Sequence, residues 1–530
     1  MSYNNASKEF NNLDYQYSDD LDIAFKLKDK GLIKDAVMYF SKILDKNPNS
    51  LLVLRNLRGM YFQLQELKKA EIISKKIINL SPSNIDDLFQ LSLIFLSTDN
   101  ISEAEEYLLK TIAQNEQHIK AYLTLFLIKR RYRKYSECYS IIIRTIKADP
   151  FNSEAYSMLG LLYYDLRKYR SAELSFIKSL KLNRSNTSSL TNLAFILQHK
   201  GEIENARNNF IRSIELDNLN IRAYYGLSRQ SDKAIDPEIR EKLFSISNKD
   251  VTIKSELVNL NFAKSNILHQ EKDFNSSSIY LQLANKEKLS IFSSDRKNFI
   301  NKANDIKSML NISYRSDNTH NINIRSIFIV GMPRSGSTLL ESILIRNKEL
   351  KSLGENGILN ESFNLWINKK SENMDYKLEE IFENKANNYL PKPGIILDKN
   401  LYNYMYSGFI AKEFKFGKII HINRGPLDTI LSLFRANFNE GFRYSSSIED
   451  SASVYINQYN LMKEYISLFP NKIYQVNYED LVSETKSTLK NLYDWLGLDW
   501  KEIYLSYKIN DRFIHTASNI SVRYPINKRS

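Results

Sequence analysis

The stretch SIFIVGMPRSGSTLLESI, residues 326–343, decides the fold of the C-terminal part of the chain. A run of apolar, mostly β-branched residues, 327–330, stops at Gly331, and a short loop with a second glycine, Gly336, leads to a helix-forming segment at Ser337. The pattern predicts a strand, a loop of the size of a phosphate group and a helix N-terminus. Backbone amides and the helix dipole favour an anion at such a place.

Side chains of this loop add hydrogen-bond donors, from the guanidinium group of Arg334 and from three hydroxyls. Gly331 and Gly336 have the glycine spacing of a Walker loop, but Ser337 stands where a nucleoside triphosphatase carries its lysine. The string PRSGST resembles the 5′-phosphosulfate loop of sulfotransferases, which use 3′-phosphoadenosine 5′-phosphosulfate (PAPS) and need no metal. The resemblance implies that the cofactor-binding residues of the loop are Pro333, Arg334, Ser335, Gly336, Ser337 and Thr338.

A second segment, KIIHINRGPLDTILSLF at residues 418–434, has the same order of elements. A strand ends before Arg424, and Pro426 suits the first turn of the amphipathic helix that follows. Ser432 lies eight residues after Arg424. Such a pair can hold a second phosphate well away from the first. The segment resembles the 3′-phosphate-binding strand and helix of sulfotransferases, which implies that Arg424 and Ser432 hold the 3′-phosphate of the nucleotide.

The catalytic residues are assigned by resemblance to tyrosylprotein sulfotransferases. The string LGEN at 353–356 is similar to the position where that family has its general base, which implies that Glu355 takes the proton of the acceptor hydroxyl. The strand that begins near Gly394 ends at Lys399, which matches the lysine that neutralises the bridging oxygen of the donor. Arg334 and the loop amides are expected to stabilise charge on the transferring group.

Three further cofactor contacts follow from the same resemblance: Tyr478 near the adenine and 3′-phosphate, and Ser518 and Arg523 in the last cofactor-contacting stretch. Related chains continue past a segment like Arg529–Ser530 into a helix that closes the cofactor site. The sequence stops there. The alternatives are a truncated form, a pocket completed differently, or a reduced affinity for the cofactor.

The N-terminal part of the chain contains an internal repeat of 34 residues, marked by small residues at Ala36, Ala70, Ala104, Cys138, Ala172 and Ala206. The best copy has Tyr156, Gly160, Ala172 and Phe176 in register. This resembles the tetratricopeptide pattern, in which a small residue lets paired antiparallel helices approach closely. Copies begin near residues 17, 51, 85, 119, 153 and 187, with a partial seventh near 221.

These patterns predict four regions: a tail at 1–16, a tetratricopeptide solenoid at 17–230, a helical connector at 231–322 and a sulfotransferase domain at 323–530. The fold class is therefore an all-α solenoid followed by a P-loop-like α/β domain with a central parallel sheet. Within the connector, 262–284 is expected to be a degenerate helical pair and 314–323 a linker. Cys138 occupies a small-residue position, which indicates packing rather than reactivity. The concave face of the solenoid is expected to bind a peptide or protein.

Composition limits the partners. The formal charge is +13, from 74 basic and 61 acidic residues, which suits a phosphate-bearing cosubstrate and an acidic peptide. No nucleic-acid motif and no basic run of five is present. A single cysteine, the absence of a signal-like N-terminus and the lack of a long apolar run predict a cytoplasmic protein without a membrane span.

The sequence thus predicts a PAPS-dependent sulfotransferase that releases 3′-phosphoadenosine 5′-phosphate (PAP), with protein tyrosine as the leading acceptor. A saccharide hydroxyl and a small metabolite stay open. Two alternatives remain: a repeat scaffold with a degenerate C-terminal domain, and a P-loop kinase, against which the missing P-loop lysine counts.

Overall fold

The computed structural model describes residues 18–230, 233–310, 325–371, 376–390, 394–438 and 441–505. The chain forms two compact units that divide between Asn192 and Leu193. The predicted linker at 314–323, the N-terminal tail at 1–16 and the segment with Ser518 and Arg523 lie outside the described residues.

The first unit consists of antiparallel helix pairs. Its helices are α1 (Ser18–Asp29), α2 (Ile33–Lys46), α3 (Leu51–Gln63), α4 (Leu67–Leu80), α5 (Ile85–Ser97), α6 (Ile101–Gln114), α7 (Ile119–Arg131), α8 (Tyr135–Ala148), α9 (Ser153–Asp165) and α10 (Tyr169–Leu182), and α11 (Thr187–Lys200) spans the division. The first helix of each pair begins within one residue of the predicted start of a repeat copy. The predicted helical repeat is confirmed.

The small residues of the repeat are packed at the helix crossings, as the spacing predicts. Ala36, Ala70, Ala104, Cys138 and Ala172 are completely buried. In the best copy, a Cβ atom added at Gly160 would lie 2.6 Å from the ring of Phe176, so only glycine allows this close approach. Burial also raises the pKa of the Cys138 thiol to about 11, which fits a packing role.

A second 34-residue period appears in the backbone of the turns between paired helices. Gln65, Asp99, Arg133 and Arg167 have φ between 56° and 61°, and Gly31 and Gly201 occupy the same register with φ of 75° and 94°. This left-handed turn costs a non-glycine residue about 1–2 kcal/mol. The residue types at these six positions do not reveal the period, because only two of them are glycine.

The second unit begins with the end of the repeats and four connector helices. Its first helices are α12 (Ile203–Leu216), α13 (Ile221–Ser228), α14 (Pro237–Ser245), α15 (Lys254–Gln270), α16 (Phe274–Ile291) and α17 (Arg296–Ser308). The partial seventh repeat is the short helix α13. The expected helical pair at 262–284 corresponds to α15 and α16, which extend beyond it on both sides.

A five-stranded parallel sheet forms the centre of the second unit. The strands are β1 (Ser326–Gly331), β2 (Leu350–Gly354), β3 (Ile395–Asp398), β4 (Gly417–Asn423) and β5 (Ile473–Asn477), in the spatial order β2-β3-β1-β4-β5. The predicted central parallel sheet is confirmed. In such sheets ligands bind at the carboxyl ends of the strands, where the strand order reverses.

Helices cover the sheet: α18 (Ser337–Leu344), α19 (Ile358–Ser371), α20 (Leu378–Asn387), α21 (Ser407–Glu413), α22 (Pro426–Phe434), α23 (Ile448–Leu468), α24 (Tyr478–Ser483) and α25 (Thr485–Leu496). Short 3-10 helices occur at Leu401–Tyr406, Arg443–Ser446 and Glu502–Leu505. No helix in the described part of the chain is both long and apolar enough to cross a membrane.

Strand β1 is buried on both faces and separates two hydrophobic cores. Ile327 and Ile329 belong to one core, and Phe328 and Val330 to the other. Helix α17 contributes Ala303 and Ile306 to the second of these cores, and Leu310, two residues after the helix, belongs to it as well. This part of the predicted connector therefore packs as part of the α/β domain.

Candidate active site

The loop between β1 and α18 has a strained backbone. Arg334 has φ of 72° although it is not a glycine, and Gly336, the residue before α18, has φ of 95°. A Cβ atom added at Gly336 would lie 2.2 Å from the ring of Tyr478. Non-glycine residues in this region of φ cost about 1–3 kcal/mol and cluster at ligand sites. The loop is thus fixed in one tight conformation.

The predicted hydroxyls of the loop lie at the start of α18. Ser335, Ser337 and Thr338 are buried, as is Pro333. The hydroxyl of Ser335 donates to the carbonyl oxygen of Met332 at 2.7 Å, so this hydroxyl stabilises the conformation of the loop. The backbone amides of the first turn of α18 have no partner within the helix, which leaves an anion-binding end.

The structure brings Lys399 and Glu355 into contact. Lys399 Nζ donates to Glu355 Oε1 at 2.6 Å and to Thr338 Oγ1 at 3.4 Å. The Lys399 side chain is 1% exposed, whereas that of Glu355 is 46% exposed. The pair therefore has a buried cation beside the start of α18 and a carboxylate that solvent and an acceptor can reach.

Glu341 is a third charged member of this group, and no sequence motif identified it. It lies on α18, one turn after Thr338, with its carboxylate 3.7 Å from Lys399 Nζ and 4% exposed. Its other oxygen accepts a hydrogen bond from the hydroxyl of Ser352 on β2. The sequence does contain a usable signal, because Glu341 is the one charged residue of the helix sequence STLLESIL. We call Lys399, Glu341, Glu355, Thr338 and Ser352 the lysine–carboxylate cluster.

Asp398 lies directly before Lys399 at the end of β3 and is completely buried. Burial raises the pKa of its carboxyl to about 7. A hydrogen bond from the backbone amide of Asn400, at 2.9 Å, opposes this shift because it favours the charged form. A carboxyl with this pKa changes its charge near neutral pH.

The other predicted cofactor residues gather on the far side of the loop. Arg334 Nε donates to Ser432 Oγ at 2.9 Å, and Arg424 Nη1 donates to the carbonyl oxygen of Arg334 at 3.1 Å. The guanidinium group of Arg424 also lies 4.8 Å from the centre of the Tyr478 ring. The sequence assigned Arg334 and Ser432 to two separate phosphates, and the structure joins their segments through these two hydrogen bonds.

Two more arginines lie in this region, and neither is part of a sequence motif. The pKa of Arg334 is lowered to about 10, mainly by burial. The like charges of Arg229, Arg424 and Arg435 lower it further. Arg229 follows the last residue of α13, in the partial repeat, and Arg435 follows α22. We call Arg229, Arg334, Arg424 and Arg435 the guanidinium cluster. Nothing in the local sequence of Arg229 links it to a nucleotide site about 100 residues away.

Among the described residues, no group of three or more His, Cys, Asp or Glu side chains is arranged to hold a metal ion.

Comparison with known families identifies the α/β part of the chain. The model of the sulfotransferase family matches residues 326–502, from the first residue of β1 into the last 3-10 helix. Residues 326–502 form a sulfotransferase-family domain. A tetratricopeptide repeat model matches residues 153–186, which are α9, α10 and the turn after them. The predictions of a sulfotransferase-family domain and of tetratricopeptide repeats are confirmed.

Among proteins of curated sequence, an uncharacterized protein of Aquifex aeolicus is 25% identical over 323 residues. The match covers 56% of this chain, and the chain spans 42% of the length of that relative.

Two solved structures illustrate the likeness to other proteins. The APC/C hetero-tetramer Cut9-Hcn1 is 17% identical with a TM-score of 0.36, over 54% of this chain and 55% of that one. MamA from Desulfovibrio magneticus RS-1 is 16% identical with a TM-score of 0.28, over 32% of this chain and 96% of that one.

Proposed function

We propose that the protein is a PAPS-dependent sulfotransferase that moves a sulfuryl group to an acceptor hydroxyl, with protein tyrosine as the leading acceptor. The contact between Lys399 and Glu355 at the start of α18 carries the proposal. A general base and a cation for the leaving group meet there, next to the loop that the family uses for the donor. The match of the domain to the sulfotransferase family supports this reading.

The donor has a place for each of its charges. PAPS supplies the sulfuryl group, and PAP is the product. We assign its 5′-phosphosulfate to the loop amides, to Arg334 and to the hydroxyls of Ser337 and Thr338, and its 3′-phosphate to Arg424 and Ser432. Because Arg334 also donates a hydrogen bond to Ser432, we extend its role to the 3′-phosphate. Because Gly336 has no side chain, the loop backbone can lie close to Tyr478, which we assign to the nucleotide; a Cβ atom at this position would clash with its ring. The residues present therefore fit this cosubstrate.

Glu355 faces the acceptor because its side chain is the exposed member of the pair. It accepts the proton of the acceptor hydroxyl while the hydroxyl oxygen bonds to sulfur. The bond from sulfur to the 5′-phosphate oxygen breaks, and its electron pair stays on that oxygen. Lys399, buried beside Thr338, neutralises this charge.

Glu341 keeps the charge of Lys399 balanced during this step. When Glu355 gains a proton, it no longer compensates the ammonium group. Glu341, 3.7 Å from Lys399 Nζ, still does. Because a buried ammonium group without a carboxylate is costly, Glu341 holds Lys399 charged and in place.

The repeats present the acceptor or dock a partner in this proposal. Solenoids of this kind bind extended peptides on their concave face, and a repeat of this family is present at 153–186. We retain the division into a tail at 1–16, a solenoid at 17–230, a connector at 231–322 and a sulfotransferase domain at 323–530. A cytoplasmic location and tyrosine as the acceptor rest on the resemblance and on composition.

The test is transfer from radiolabelled PAPS to three acceptor classes: a tyrosyl peptide, a saccharide and a small phenol. In Glu355→Gln we expect kcat to fall about 10²- to 10⁴-fold, because the general base is lost while the charge-neutral side chain still fits. PAP affinity, measured by calorimetry, should change little.

Glu361→Gln is the matched control, since Glu361 is exposed and pairs with Lys385 on the surface of the same domain. Undiminished transfer in Glu355→Gln would show that the base is a different residue. A wild-type protein that binds no PAP would favour the scaffold, and a preference for ADP with Mg²⁺ would favour the kinase.

A further inference from the structure

We propose that Arg229, at the end of the truncated seventh repeat, is a further nucleotide-binding residue that contacts the 3′-phosphate together with Arg334 and Arg424. The inference rests on the proposed function and extends it, because it makes the repeat region part of the cofactor site. Three features of the second unit support it: the fixed end of α13, the attachment of α22 to the same connector helix, and the concentration of positive charge.

The end of α13 is held by side chains of α15. Gln270 Nε2 donates to the carbonyl oxygen of Ser228 at 2.7 Å, and Asn266 Nδ2 donates to the Ser228 hydroxyl at 3.2 Å. These bonds satisfy groups that a helix end leaves open. They also fix the backbone at Ser228, the residue before Arg229, so the position of the Arg229 backbone is defined.

The same connector pair holds the C-terminal end of α22. His269 of α15 lies 2.9 Å from Arg435 Nη1, and Asn437 donates to Asn259 at 2.8 Å. Asn285 of α16 donates to the carbonyl oxygen of Phe434 at 2.9 Å. Helix α22 contains Ser432, which accepts the hydrogen bond of Arg334. Residues 266–270 therefore position both Arg229 and the helix that carries Ser432.

The charges of this region fit a phosphate dianion. Burial is the largest influence on the pKa of Arg334, and the charge of Arg229 comes next, ahead of that of Arg424. Tyr225, one turn before Arg229 on α13, packs against the same hydrophobic cluster as Phe434, the last residue of α22, so the ends of these two helices lie close together. Like charges repel when they are brought together, and a 3′-phosphate relieves this repulsion and accepts charge-assisted hydrogen bonds.

The experiment compares the affinities of PAP and of adenosine 5′-monophosphate, which lacks the 3′-phosphate, by calorimetry on the full chain. We expect Arg229→Ala to weaken PAP binding about 10- to 100-fold, as for the loss of a hydrogen bond to a charged group. Binding of adenosine 5′-monophosphate should stay unchanged, which also reports an intact fold. Arg229→Lys should recover part of the loss. The dependence of PAP affinity on salt should become weaker in Arg229→Ala.

Arg240→Ala is the matched control, because Arg240 is an exposed connector arginine that pairs with Glu271. Unchanged PAP affinity in Arg229→Ala, or an equal loss for both nucleotides, would overturn the inference and leave the proposed function standing. A wild-type protein that binds PAP no better than adenosine 5′-monophosphate would overturn the 3′-phosphate site itself, and with it the inference.

Discussion

The guanidinium cluster and the lysine–carboxylate cluster border the same loop, but one contains charges of a single sign and the other contains charges of both signs. The first gathers four arginines, three of which lower the pKa of the fourth. The second places one buried ammonium group between two carboxylates, at 2.6 and 3.7 Å. Repulsion among like charges is relieved by an anionic ligand, whereas the ammonium group of the second cluster still has a carboxylate partner, Glu341, after Glu355 has taken up a proton. The comparison separates a binding region from a reacting region.

The two sides of the loop also differ in their response to pH. Arg334, with a pKa of about 10, stays charged at neutral pH. Asp398, beside Lys399, has a pKa of about 7 and changes its charge there. Dependence on pH near neutrality is therefore expected from the lysine side of the loop.

The largest expected effect comes from breaking the balance of the lysine–carboxylate cluster. In Lys399→Met, Glu341 is left buried without its ammonium partner, and we expect the free energy of unfolding to fall by about 3–5 kcal/mol. Urea denaturation measures this change. Because Glu341→Gln removes the uncompensated charge, the double variant should recover part of the loss. A double variant as unstable as Lys399→Met would show that the two groups are not coupled.

The pH dependence of stability is the second test. Since burial raises the pKa of Asp398 from 3.8 to about 7, the folded state binds a proton that the unfolded state releases. The contribution is complete below about pH 4 and is lost as the pH rises through about 7.

Urea denaturation of wild type and Asp398→Asn at pH 4 to 8 isolates this group, because asparagine does not titrate. The difference in free energy of unfolding should shift against the wild type by up to about 4 kcal/mol over that range. A constant difference would show that Asp398 is charged throughout.

The third prediction concerns the loop between the clusters. Gly336→Ala places a Cβ atom 2.2 Å from the Tyr478 ring at a φ of 95°. We expect a loss of about 1–3 kcal/mol in stability and weaker PAP binding, because the loop must move. Gly354→Ala is the control: its φ is also positive, at 66°, but a Cβ atom there meets nothing within 4 Å. Equal PAP affinities in the two variants would contradict a role for the Gly336–Tyr478 contact.

The smallest expected effect is that of Ser432→Ala. Loss of one neutral hydroxyl on the guanidinium side should weaken PAP binding by about 0.5–1.5 kcal/mol and leave kcat at saturating PAPS unchanged. Ser453→Ala, an exposed serine of α23, is the control. A fall in kcat without a change in PAP affinity would place Ser432 in the reacting region.

The sequence alone predicted the architecture well, because periodicity is a local property. The 34-residue spacing of small residues placed each repeat, and the apolar runs before Gly331 and Arg424 placed β1 and β4. Motif resemblance also singled out Glu355 and Lys399, which the fold brings together across 44 residues. Their catalytic roles stay predictions.

Only the tertiary structure revealed Glu341, Arg229 and Arg435 as neighbours of the predicted residues. Their positions depend on how α13, α15, α18 and α22 pack, and no local pattern encodes a contact between segments so far apart. The same holds for α17, whose apolar face completes a core of the sheet domain although its sequence lies among the connector helices. Short-range sequence pattern determined the helices and strands, because backbone preferences and amphipathic periods act over a few residues. Packing decided which charges share a site, because electrostatic interactions depend on distance in space rather than along the chain.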